Sequence, residues 1–507
     1  MMTSLAEALS TRPFSIVVEL VASGLKREAQ VLEIASNLAN IPDIVAGSVT
    51  SYAGGKFGQD PLRVGTAVRA RGLQPNVHLT CVGNDRVALR KTLRELRALG
   101  MLNVFALTGD WPTEKNARPV FDLDSVQLTE LIARIRAEQG TPFHIAVAVS
   151  PFKYQREDCL YQYLKLEKKV AAGANLAITQ VGWDARKFAE LKRYVDEHGL
   201  KIPLLGNVYV LSRRAAEKMA TGNPPGCWAS PALVEQVKQE AQAADGGLAA
   251  RLERAAKTVA VLKGLGYAGA YIGGTHSAEQ IVRILDRAKE LEPAWEQCAS
   301  ELQFGDAKGF YLNADPAPRR ARTFLPVVLD AAGKTLPVPW AKDVRDTPLR
   351  RGLKRFFAWV DRTPALREIA ERFEYWGKRP VFGCEACGNC VLGHMEYVCP
   401  QTCPKQMRNG PCGGTLIGRC EVVDQECIWV SVYSRAESVG RVQDLRTFIP
   451  AADRKLAGTS SWINFFLDRD SRPGRPKPVD ASTAPVEPVR AVRNTRHEAP
   501  AAAPVNS

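Results

Sequence analysis

The sequence lacks the features of a membrane or secreted protein. No apolar run in its 507 residues approaches the roughly 20 residues that a membrane-spanning helix needs. The opening stretch, MMTSLAEALSTRPFSIVVEL, has no basic segment followed by an apolar one, so no signal peptide is expected. We therefore expect a cytoplasmic protein with no membrane partner, whose thiols stay reduced.

The sequence also lacks a long basic block, although its formal net charge is +14. Its basic residues are spread along the chain, and no recognition-helix motif or aromatic-basic motif for nucleic acid is present. This pattern favours a solvated basic surface that attracts acidic ligands. No nucleic-acid partner is expected.

Residues 14–291 alternate short apolar runs with amphipathic stretches of helical spacing, several of which close with glycine. The apolar runs, typical of buried parallel strands, are FSIVVEL, DIVAGSVTS, NVHLTCVG, NVFALTGD, HIAVAVS, LAITQVG, IPLLGNVYVL and YAGAYIGG. Eight strands with crossover helices predict an α/β fold, a (β/α)₈ TIM barrel over residues 1–300. An open doubly wound sheet is the alternative, but no G-x-G-x-x-G follows the first strand.

The remaining sequence divides into four parts by composition. Residues 301–376 are interpreted as a linker and helical connection, with helical spacing over 351–376. A small cysteine-rich, metal-binding domain is expected over 377–440, followed by an extension over 441–470. The final segment, 471–507, is rich in Pro, Ala and Arg and is predicted to be disordered.

Polar residues stand at the ends of five of the predicted strands. In a barrel, catalytic side chains come from the carboxyl ends of several different strands, so this ring predicts an active site. Its members are Glu19, then Thr50, Ser51 and Tyr52, then His78 and Thr80, then Thr108, Gly109 and Asp110, and finally Thr179 and Gln180.

Eight of the twelve cysteines lie close together near the end of the chain. They are Cys384, Cys387, Cys390, Cys399, Cys403, Cys412, Cys420 and Cys427. In a reducing compartment this density favours metal ligation over disulfides, and eight thiolates suffice for two four-ligand sites. Paired C-x₂-C units suit zinc, whereas C-x₂-C-x₂-C with a later Cys-Pro is close to the ferredoxin run that holds a 4Fe–4S cluster. The spacing favours at least one iron–sulfur cluster and leaves zinc open.

Three stretches of the barrel region resemble the methylenetetrahydrofolate reductase family: VHLTC at 77–81, ALTGD at 106–110 and KKVAAGANLAITQ at 168–180. The resemblance covers about residues 10–290. It implies a flavin-binding barrel that interconverts 5,10-methylenetetrahydrofolate and 5-methyltetrahydrofolate by hydride transfer, an oxidoreductase acting on CH–NH groups in one-carbon metabolism.

By matching positions, the resemblance implies that Glu19 is the general acid and that Asp110 holds the pterin and stabilises the iminium cation. Gln180 then pairs with the pterin. It further implies flavin contacts from Thr50, Tyr52, His78, Thr80, Gly109, Asp110 and Lys169. FAD is the expected flavin, with FMN as the alternative. The chain departs from the family at VVELVASG after the first strand, at VSPFKYQRE after the fifth and at IGGTHSAE after the eighth.

The segment 403–430 resembles the cysteine-rich C-terminal domain found with this family. That resemblance implies an iron–sulfur cluster, zinc or both next to a flavin. A cluster would let an electron-transfer protein such as reduced ferredoxin feed the flavin, and NADH or NADPH are the other expected donors. The alternatives are a zinc-dependent methyltransferase and a folate-binding module without redox chemistry. A homo-oligomer is compatible with each of these.

Overall fold

The computed structural model describes residues 4–473 except for 23–24, 51, 54–55, 58–59, 115, 117, 313–327, 330–331, 333–335 and 341–345. The side chains of residues 25–26, 52–53 and 56–57 also lie outside the description. Ser51, the side chain of Tyr52 and most of the tail expected over 471–507 therefore lie outside the described residues.

Eight parallel strands form a closed barrel and confirm the predicted TIM-barrel fold. The order around the barrel is β1-β10-β9-β8-β7-β6-β5-β2, and a separate antiparallel pair, β3 with β4, follows β2. The strands are β1 (Ser15–Leu20), β2 (Ile44–Val49), β3 (Tyr52–Ala53), β4 (Lys56–Phe57), β5 (Pro75–Thr80), β6 (Asn103–Leu107), β7 (His144–Val149), β8 (Leu176–Thr179), β9 (Leu204–Tyr209) and β10 (Gly269–Gly273).

Amphipathic helices surround the barrel. In α4, for example, the Asp85 side chain accepts from the first backbone N–H groups, and Leu89, Leu93 and Leu96 face the core at helical spacing. The helices of this part are α1 (Leu5–Thr11), α2 (Leu25–Leu38), α3 (Pro61–Arg69), α4 (Arg86–Ala98), α5 (Ser125–Gln139), α6 (Arg156–Ala171), α7 (Ala185–Glu197), α8 (Arg213–Met219), α9 (Pro231–Glu240), α10 (Leu248–Gly264), α11 (Ala278–Leu291) and α12 (Trp295–Glu301).

The inside of the barrel is apolar towards the amino ends of its strands. Val17, Val45 and Phe105 form one buried cluster there, and Leu5 and Ala8 of α1 pack into the same cluster. This end of the barrel is therefore filled with side chains. The carboxyl ends of the strands, where the predicted polar ring lies, form the end at which a ligand can enter.

Two consecutive helices, α13 (Pro348–Arg362) and α14 (Pro364–Phe382), occupy the region in which helical spacing was noted over 351–376. The break falls at Thr363, whose backbone is extended, because the residue before a proline disfavours helical dihedrals. Helix α14 also continues past the expected end and reaches the cysteine-rich segment. Two further helices follow, α15 (Ile428–Ser438) and α16 (Ser461–Phe466).

The cysteine-rich region packs directly on the barrel. The Tyr161 ring of α6 meets the Trp429 ring of α15 edge to face, with centroids 4.9 Å apart, and the Tyr433 ring lies 6.3 Å from the Tyr161 ring. These side chains belong to one buried apolar cluster. Arg156 forms an ion pair with Glu437 at 2.7 Å across the same contact. Among the described residues, no helix is both long enough and apolar enough to cross a membrane.

Candidate functional site

Glu19 stands near the carboxyl end of β1 and is largely enclosed by its neighbours. Burial raises the pKa of its carboxyl to about 7, and the nearby Arg27 guanidinium offsets part of that rise. Space for the carboxylate comes from Gly273 at the end of β10, because a Cβ there would lie only 2.7 Å from Glu19 Oε2. A carboxyl with this pKa can hold or release a proton near neutral pH.

Asp110 follows β6 at the same end of the barrel. Both carboxylates lie close enough to the buried thiol of Cys227 to affect its pKa. Burial and then Asp110 raise the pKa of this thiol to about 12, and Glu19 adds to the rise. Burial and then Glu19 likewise raise the pKa of Tyr209 to about 12. The two acids predicted from separate strands therefore both lie near Cys227, at the carboxyl end of the barrel. Gly109 turns the chain into Asp110 with φ +89°, where a Cβ would lie 2.4 Å from Val82 Cγ1.

Gln180 follows β8 and lies at the same opening. Its backbone N–H donates to the Val149 carbonyl at 2.8 Å, which fixes the residue to the end of β7. The side-chain Nε2 lies 3.5 Å from where a Cβ of Gly226 would stand, so the amide faces the loop that also carries Cys227. The structure thus brings Glu19, Asp110 and Gln180 to one end of the barrel.

His78 and Lys169, two of the residues expected at the flavin, are held by the protein itself. His78 Nε2 lies 3.0 Å from Ser48 Oγ and 3.4 Å from the Tyr271 hydroxyl, and burial lowers its pKa to about 3, so it is neutral. The Lys169 ammonium donates to the Ala148 carbonyl at 2.6 Å, and burial lowers its pKa. The Lys169 side chain therefore connects α6 to β7 and does not extend into the barrel opening.

Thr50 and Thr80 lie at the ends of β2 and β5 and are buried. Thr50 Oγ1 is 3.5 Å from the Leu20 carbonyl, which ties it to the strand that carries Glu19. Both threonines therefore belong to the inner rim of the opening.

Three buried oxygens at this rim have no hydrogen-bond partner among the described residues. They are Thr108 Oγ1 after β6, Ser150 Oγ after β7 and Asn207 Oδ1 in β9. Buried polar atoms without partners cost free energy, so a group of them at one rim fits a bound polar ligand such as a flavin or a pterin.

The cysteine-rich region also contributes side chains to the opening. Lys405 donates to the Gly109 carbonyl at 2.8 Å and forms a buried ion pair with Glu421. Glu421 in turn accepts from the Trp111 backbone N–H at 3.3 Å. From the barrel side, Lys153 donates to the carbonyls of Gly413 and Thr415.

Sequence reasoning missed these residues. Lys405 and Glu421 lie about 300 positions from Asp110 in the chain, and no local pattern links them. Cys227 and Lys153 are a single thiol and a single amine in loops, which carry no motif. No signal within this one sequence connects the barrel loops to the cysteine-rich region, so the contact could not be predicted.

Four of the predicted metal ligands, Cys384, Cys387, Cys390 and Cys399, line one cavity together with Lys378 and Tyr375 of α14. Burial raises the pKa of Cys399 to about 12, and the thiols of the other three cysteines add to the rise. The Lys378 ammonium lies 3.7 Å from Cys390 Sγ. We call these four residues the first cysteine group.

The other four, Cys403, Cys412, Cys420 and Cys427, form a second cysteine group nearer the barrel opening. Burial and then Glu421 raise the pKa of Cys412 to about 12, with Cys403 as a further contributor. Burial also raises the pKa of Cys427, and Cys412 and Cys403 add to it. Two metal sites with four thiol ligands each stay a prediction from the sequence.

Six of the eight thiols receive a hydrogen bond from the backbone N–H two residues further along the chain. These donors are Ala386, Gln401, Lys405, Gly414, Val422 and Trp429. Amide donors of this kind stabilise thiolates, the form that binds metal. Within the described residues, no three His, Cys, Asp or Glu side chains are arranged to hold a metal ion. The four-thiol donor sets with their amide donors nevertheless fit zinc or an iron–sulfur cluster chemically.

Comparison with known proteins assigns the chain to a family. The family model described as methylenetetrahydrofolate reductase matches residues 25–223, and a second, described as methylene-tetrahydrofolate reductase C terminal, matches residues 364–455. The chain belongs to the methylenetetrahydrofolate reductase family. The first match includes Asp110 and Gln180 and begins after Glu19; the second includes both cysteine groups.

Curated relatives carry the same name. A probable methylenetetrahydrofolate reductase (NADPH) of Caenorhabditis elegans is 29% identical over 138 residues, which cover 27% of this chain and 20% of that protein. The 5,10-methylenetetrahydrofolate reductase of Salmonella typhimurium is 28% identical over 151 residues, or 29% of this chain and 48% of that protein. The chain therefore spans less than half the length of each of these relatives.

Solved structures resemble the chain only distantly. An uncharacterized protein from Clostridium thermocellum that binds two copies of 5-methyl-5,6,7,8-tetrahydrofolic acid aligns with a TM-score of 0.40 and 13% identity, over 57% of this chain and 98% of that chain. A likeness of this size supports no conclusion about ligands.

Proposed function

We propose that the protein is a flavin-dependent oxidoreductase that interconverts 5,10-methylenetetrahydrofolate and 5-methyltetrahydrofolate in the cytoplasm. The observation that carries the proposal is the convergence of Glu19, Asp110 and Gln180 on the carboxyl end of the barrel in a member of this family. Relatives named for this reaction in Caenorhabditis elegans and Salmonella typhimurium support it.

Glu19 is the proposed general acid. The methylene bridge of the substrate must open to an iminium before it accepts hydride, and opening requires a proton on the departing nitrogen. With a pKa of about 7, Glu19 is partly protonated at neutral pH and can deliver that proton. Cys227 and Tyr209 stay protonated there because their pKa values are raised, so they do not compete as bases.

Asp110 and Gln180 are proposed to position the pterin. A carboxylate accepts hydrogen bonds from the amino edge of the pterin and stabilises the positive charge of the iminium. The Gln180 amide offers one donor and one acceptor for the remaining edge. Lys405 lies close enough to Asp110 to contribute to the charge balance at this position.

The flavin, FAD with FMN as the alternative, would lie along the rim formed by Thr50, Thr80 and Gly109, with the unpartnered oxygens of Thr108 and Ser150 as further hydrogen-bond partners. When bound, it supplies the hydride for the opened substrate. The side chains of His78 and Lys169 support the wall behind this rim rather than extend from it.

Metal is proposed at both cysteine groups, as iron–sulfur clusters, zinc or one of each. An iron–sulfur cluster held by these cysteines would allow electron transfer from NADH, NADPH or reduced ferredoxin towards the barrel, whereas zinc, which has no redox chemistry, would only stabilise the fold. The position of the second cysteine group beside Asp110, through Lys405 and Glu421, favours a role in electron supply.

The spectrum and metal content of anaerobically purified protein test the assignment. Flavin absorption bands with a broad iron–sulfur shoulder, and turnover of methylenetetrahydrofolate, are expected. A colourless zinc protein that transfers the methyl group of methyltetrahydrofolate to a thiol would instead establish the methyltransferase. A colourless protein that only binds folate would establish the binding module.

The Glu19→Gln variant tests the proposed acid. It should lose methylenetetrahydrofolate reduction by at least about 100-fold, since general acid catalysis contributes on that order, while flavin reduction by the donor stays within twofold. The matched control is Glu95→Gln on the exposed side of α4, which should retain full activity. Folate turnover retained by Glu19→Gln would refute the role.

Single cysteine variants test the two metal sites. Cys384→Ser in the first group and Cys412→Ser in the second should each lose the metal of one group and keep that of the other. The control is Cys298→Ser, a buried cysteine of α12 outside both groups, which should retain all metal. Metal content equal to wild type in both test variants, measured by plasma emission spectrometry, would contradict the sites.

A further inference from the structure

A buried arginine, Arg408, extends from the loop of the second cysteine group to the first. It lies between Cys403 and Cys412 in the chain, yet its Nη2 donates to the Asn389 carbonyl at 3.1 Å. Cys387 Sγ lies 3.7 Å from the same carbonyl, so the guanidinium and this thiol share a neighbour. The Arg408 side chain therefore lies beside the first cysteine group, although its backbone belongs to the second.

Two nitrogens of the Arg408 side chain are buried without a partner. The residue is 4% exposed, and within the described part of the chain its Nε and Nη1 have no hydrogen-bond partner. An arginine side chain stays charged in proteins, and a buried charge that is not paired costs free energy. A buried group of this kind calls for an anion that completes it.

Two thiols of the first cysteine group lie close enough to affect the pKa of Arg408. Burial lowers that pKa, and Cys387 is the strongest of the neighbours that counteract burial. Arg454 lowers the pKa further, whereas Asp124 and Cys399 raise it. The anionic groups around the guanidinium are therefore two cysteines and one carboxylate.

The other two charged neighbours, Asp124 and Arg454, have partners of their own. Asp124 caps helix α5 with its Oδ1, and its Oδ2 accepts from the Arg408 backbone N–H at 3.2 Å and from the Asn409 amide at 3.0 Å. Arg454 pairs with Asp122 at 3.2 Å. The thiols of the first cysteine group are therefore the groups whose negative charge the Arg408 guanidinium is placed to offset.

Lys378 is the other cation at the first cysteine group, and its charge is already offset. Its ammonium lies 3.7 Å from Cys390 Sγ, but it also pairs with Glu374 at 2.6 Å and donates to Ser461 at 2.8 Å. Among the described residues, the Arg408 guanidinium has no such carboxylate pair. Arg408 is therefore the cation at this group whose charge remains to be balanced.

We propose that Arg408 supplies the buried positive charge that stabilises a metal centre bound by the first cysteine group. Four thiolates carry more negative charge than a zinc ion, or the core of an oxidised iron–sulfur cluster, neutralises. The guanidinium offsets part of that excess, as the hydrogen-bonding neighbours of metal ligands do. Arg408 acts through the thiols and not on substrate, so it is a positioning residue. The inference rests on the proposed function, which includes metal at this group.

The test uses the full-length protein, purified anaerobically with the zinc or iron that it holds. Release of this metal to an excess of a chromogenic chelator is followed by absorbance, well below the melting temperature of each protein. The Cys384→Ser variant, which should keep only the metal of the second group, identifies the release that comes from the first. Arg408→Gln removes the charge and keeps an amide donor, and it should release the first-group metal at least about tenfold faster than wild type.

Two further variants separate the effect of charge from general loosening. Arg408→Lys keeps the positive charge, so its release rate should lie closer to that of wild type than to that of Arg408→Gln. The matched control is Arg254→Gln in the barrel. Arg254 is likewise buried, at 5% exposure, with an unpartnered Nη1, but it forms an ion pair with Glu240. This control should lower the melting temperature and leave the release rate unchanged.

The Cys384→Ser background should reverse the effect of Arg408→Gln on stability. Without metal at the first group, the buried Arg408 charge has no anionic partner and costs free energy. The double variant Cys384→Ser, Arg408→Gln should therefore melt at a higher temperature than Cys384→Ser. Arg408→Gln alone should melt below wild type. The comparison of the double variant with Cys384→Ser also decides the case in which Arg408→Gln alone does not fold.

Equal release rates in wild type and Arg408→Gln would overturn the proposal and leave the guanidinium only a contact to the Asn389 loop. Equally accelerated release from both cysteine groups would also overturn it, because that result shows general loosening. A double variant that melts below Cys384→Ser, or equal metal content in wild type and Cys384→Ser, would do the same. None of these measurements uses flavin or folate, so a failure to turn over methylenetetrahydrofolate would reject the proposed function and leave these results unaffected.

Discussion

The proposed role of Glu19 as a general acid depends on its surroundings as well as on its residue type. The sequence predicts a carboxyl at the end of an apolar strand, and the structure places it there. Its raised pKa, however, comes from burial among residues distant in the chain, such as Gly273 on β10, which is about 250 positions away and leaves room for the carboxylate. Proximity of this kind follows from barrel closure and cannot be deduced from the residues next to Glu19.

The Glu19 pKa makes a prediction about stability and pH. Because the folded-state pKa of about 7 exceeds the ordinary glutamate value of 4.5, the folded protein binds the proton more tightly than the unfolded chain. This contribution is fully present below about pH 4.5 and is lost as pH rises to about 7, by about 3 kcal/mol in the free energy of unfolding.

Urea unfolding of wild type and Glu19→Gln at pH 5 and pH 8 measures this loss. The amide does not titrate, so the variant should become more stable relative to wild type at pH 8 than at pH 5. An equal difference between the two proteins at both pH values would contradict the raised pKa.

At the scale of secondary-structure elements, the sequence predicts those elements whose hydrophobic pattern is local. All eight barrel strands were found from β-branched apolar runs, because a strand buried on both faces carries that signal within itself. The actual strands end one to three residues earlier than several of the runs, since polar residues such as Thr108 and Gln180 extend beyond the ladder. The break between α13 and α14 is also local, at a Thr-Pro pair, although the helical spacing over 351–376 predicts one continuous helix.

The Lys405–Glu421 ion pair is the element-scale contact that the sequence did not predict. Both side chains are 3% exposed, and the pair joins the second cysteine group to the loop of Asp110 and Trp111. Burial lowers the Lys405 pKa, but Cys412, Glu421 and Asp110 outweigh it and raise the pKa overall. Lys405 is therefore charged, and the neighbouring acidic groups offset the cost of burying that charge.

Replacement of Lys405 by Met should destabilise the protein by about 3 kcal/mol or more, because it leaves the Glu421 carboxylate buried without its partner. The control is Lys192→Met, which removes an exposed ion pair with Asp196 on α7 and should cost less than about 0.5 kcal/mol. Denaturant unfolding measures both. The double variant Lys405→Met, Glu421→Gln should recover part of the loss, and no recovery would show that the pair itself is not the cause.

At the scale of the whole molecule, composition predicts a barrel and a cysteine-rich region but cannot show that they pack together. The spacing of hydrophobic residues in α6 and α15 predicts an apolar face on each helix. It does not predict that these two faces pack against each other. The structure joins Tyr161 and Leu164 of α6 to Trp429, Val432 and Tyr433 of α15 in one cluster. A buried apolar interface of this kind makes the two parts unfold together.

Trp429→Ala should break that coupling. The Trp429 side chain is 2% exposed and packs edge to face on Tyr161, so truncation leaves a large cavity and costs about 3 kcal/mol at the interface. Differential scanning calorimetry of wild type should give one main transition, whereas Trp429→Ala should give two, with the cysteine-rich region melting first. Trp376→Ala, which replaces an exposed tryptophan of α14, should keep one transition within about 1 °C of wild type.

Because Lys405 holds the Asp110 loop only while the two parts are packed, Trp429→Ala should also weaken folate binding above its first transition and not below it. A single transition in Trp429→Ala at the wild-type temperature would mean that the two parts are coupled through other contacts.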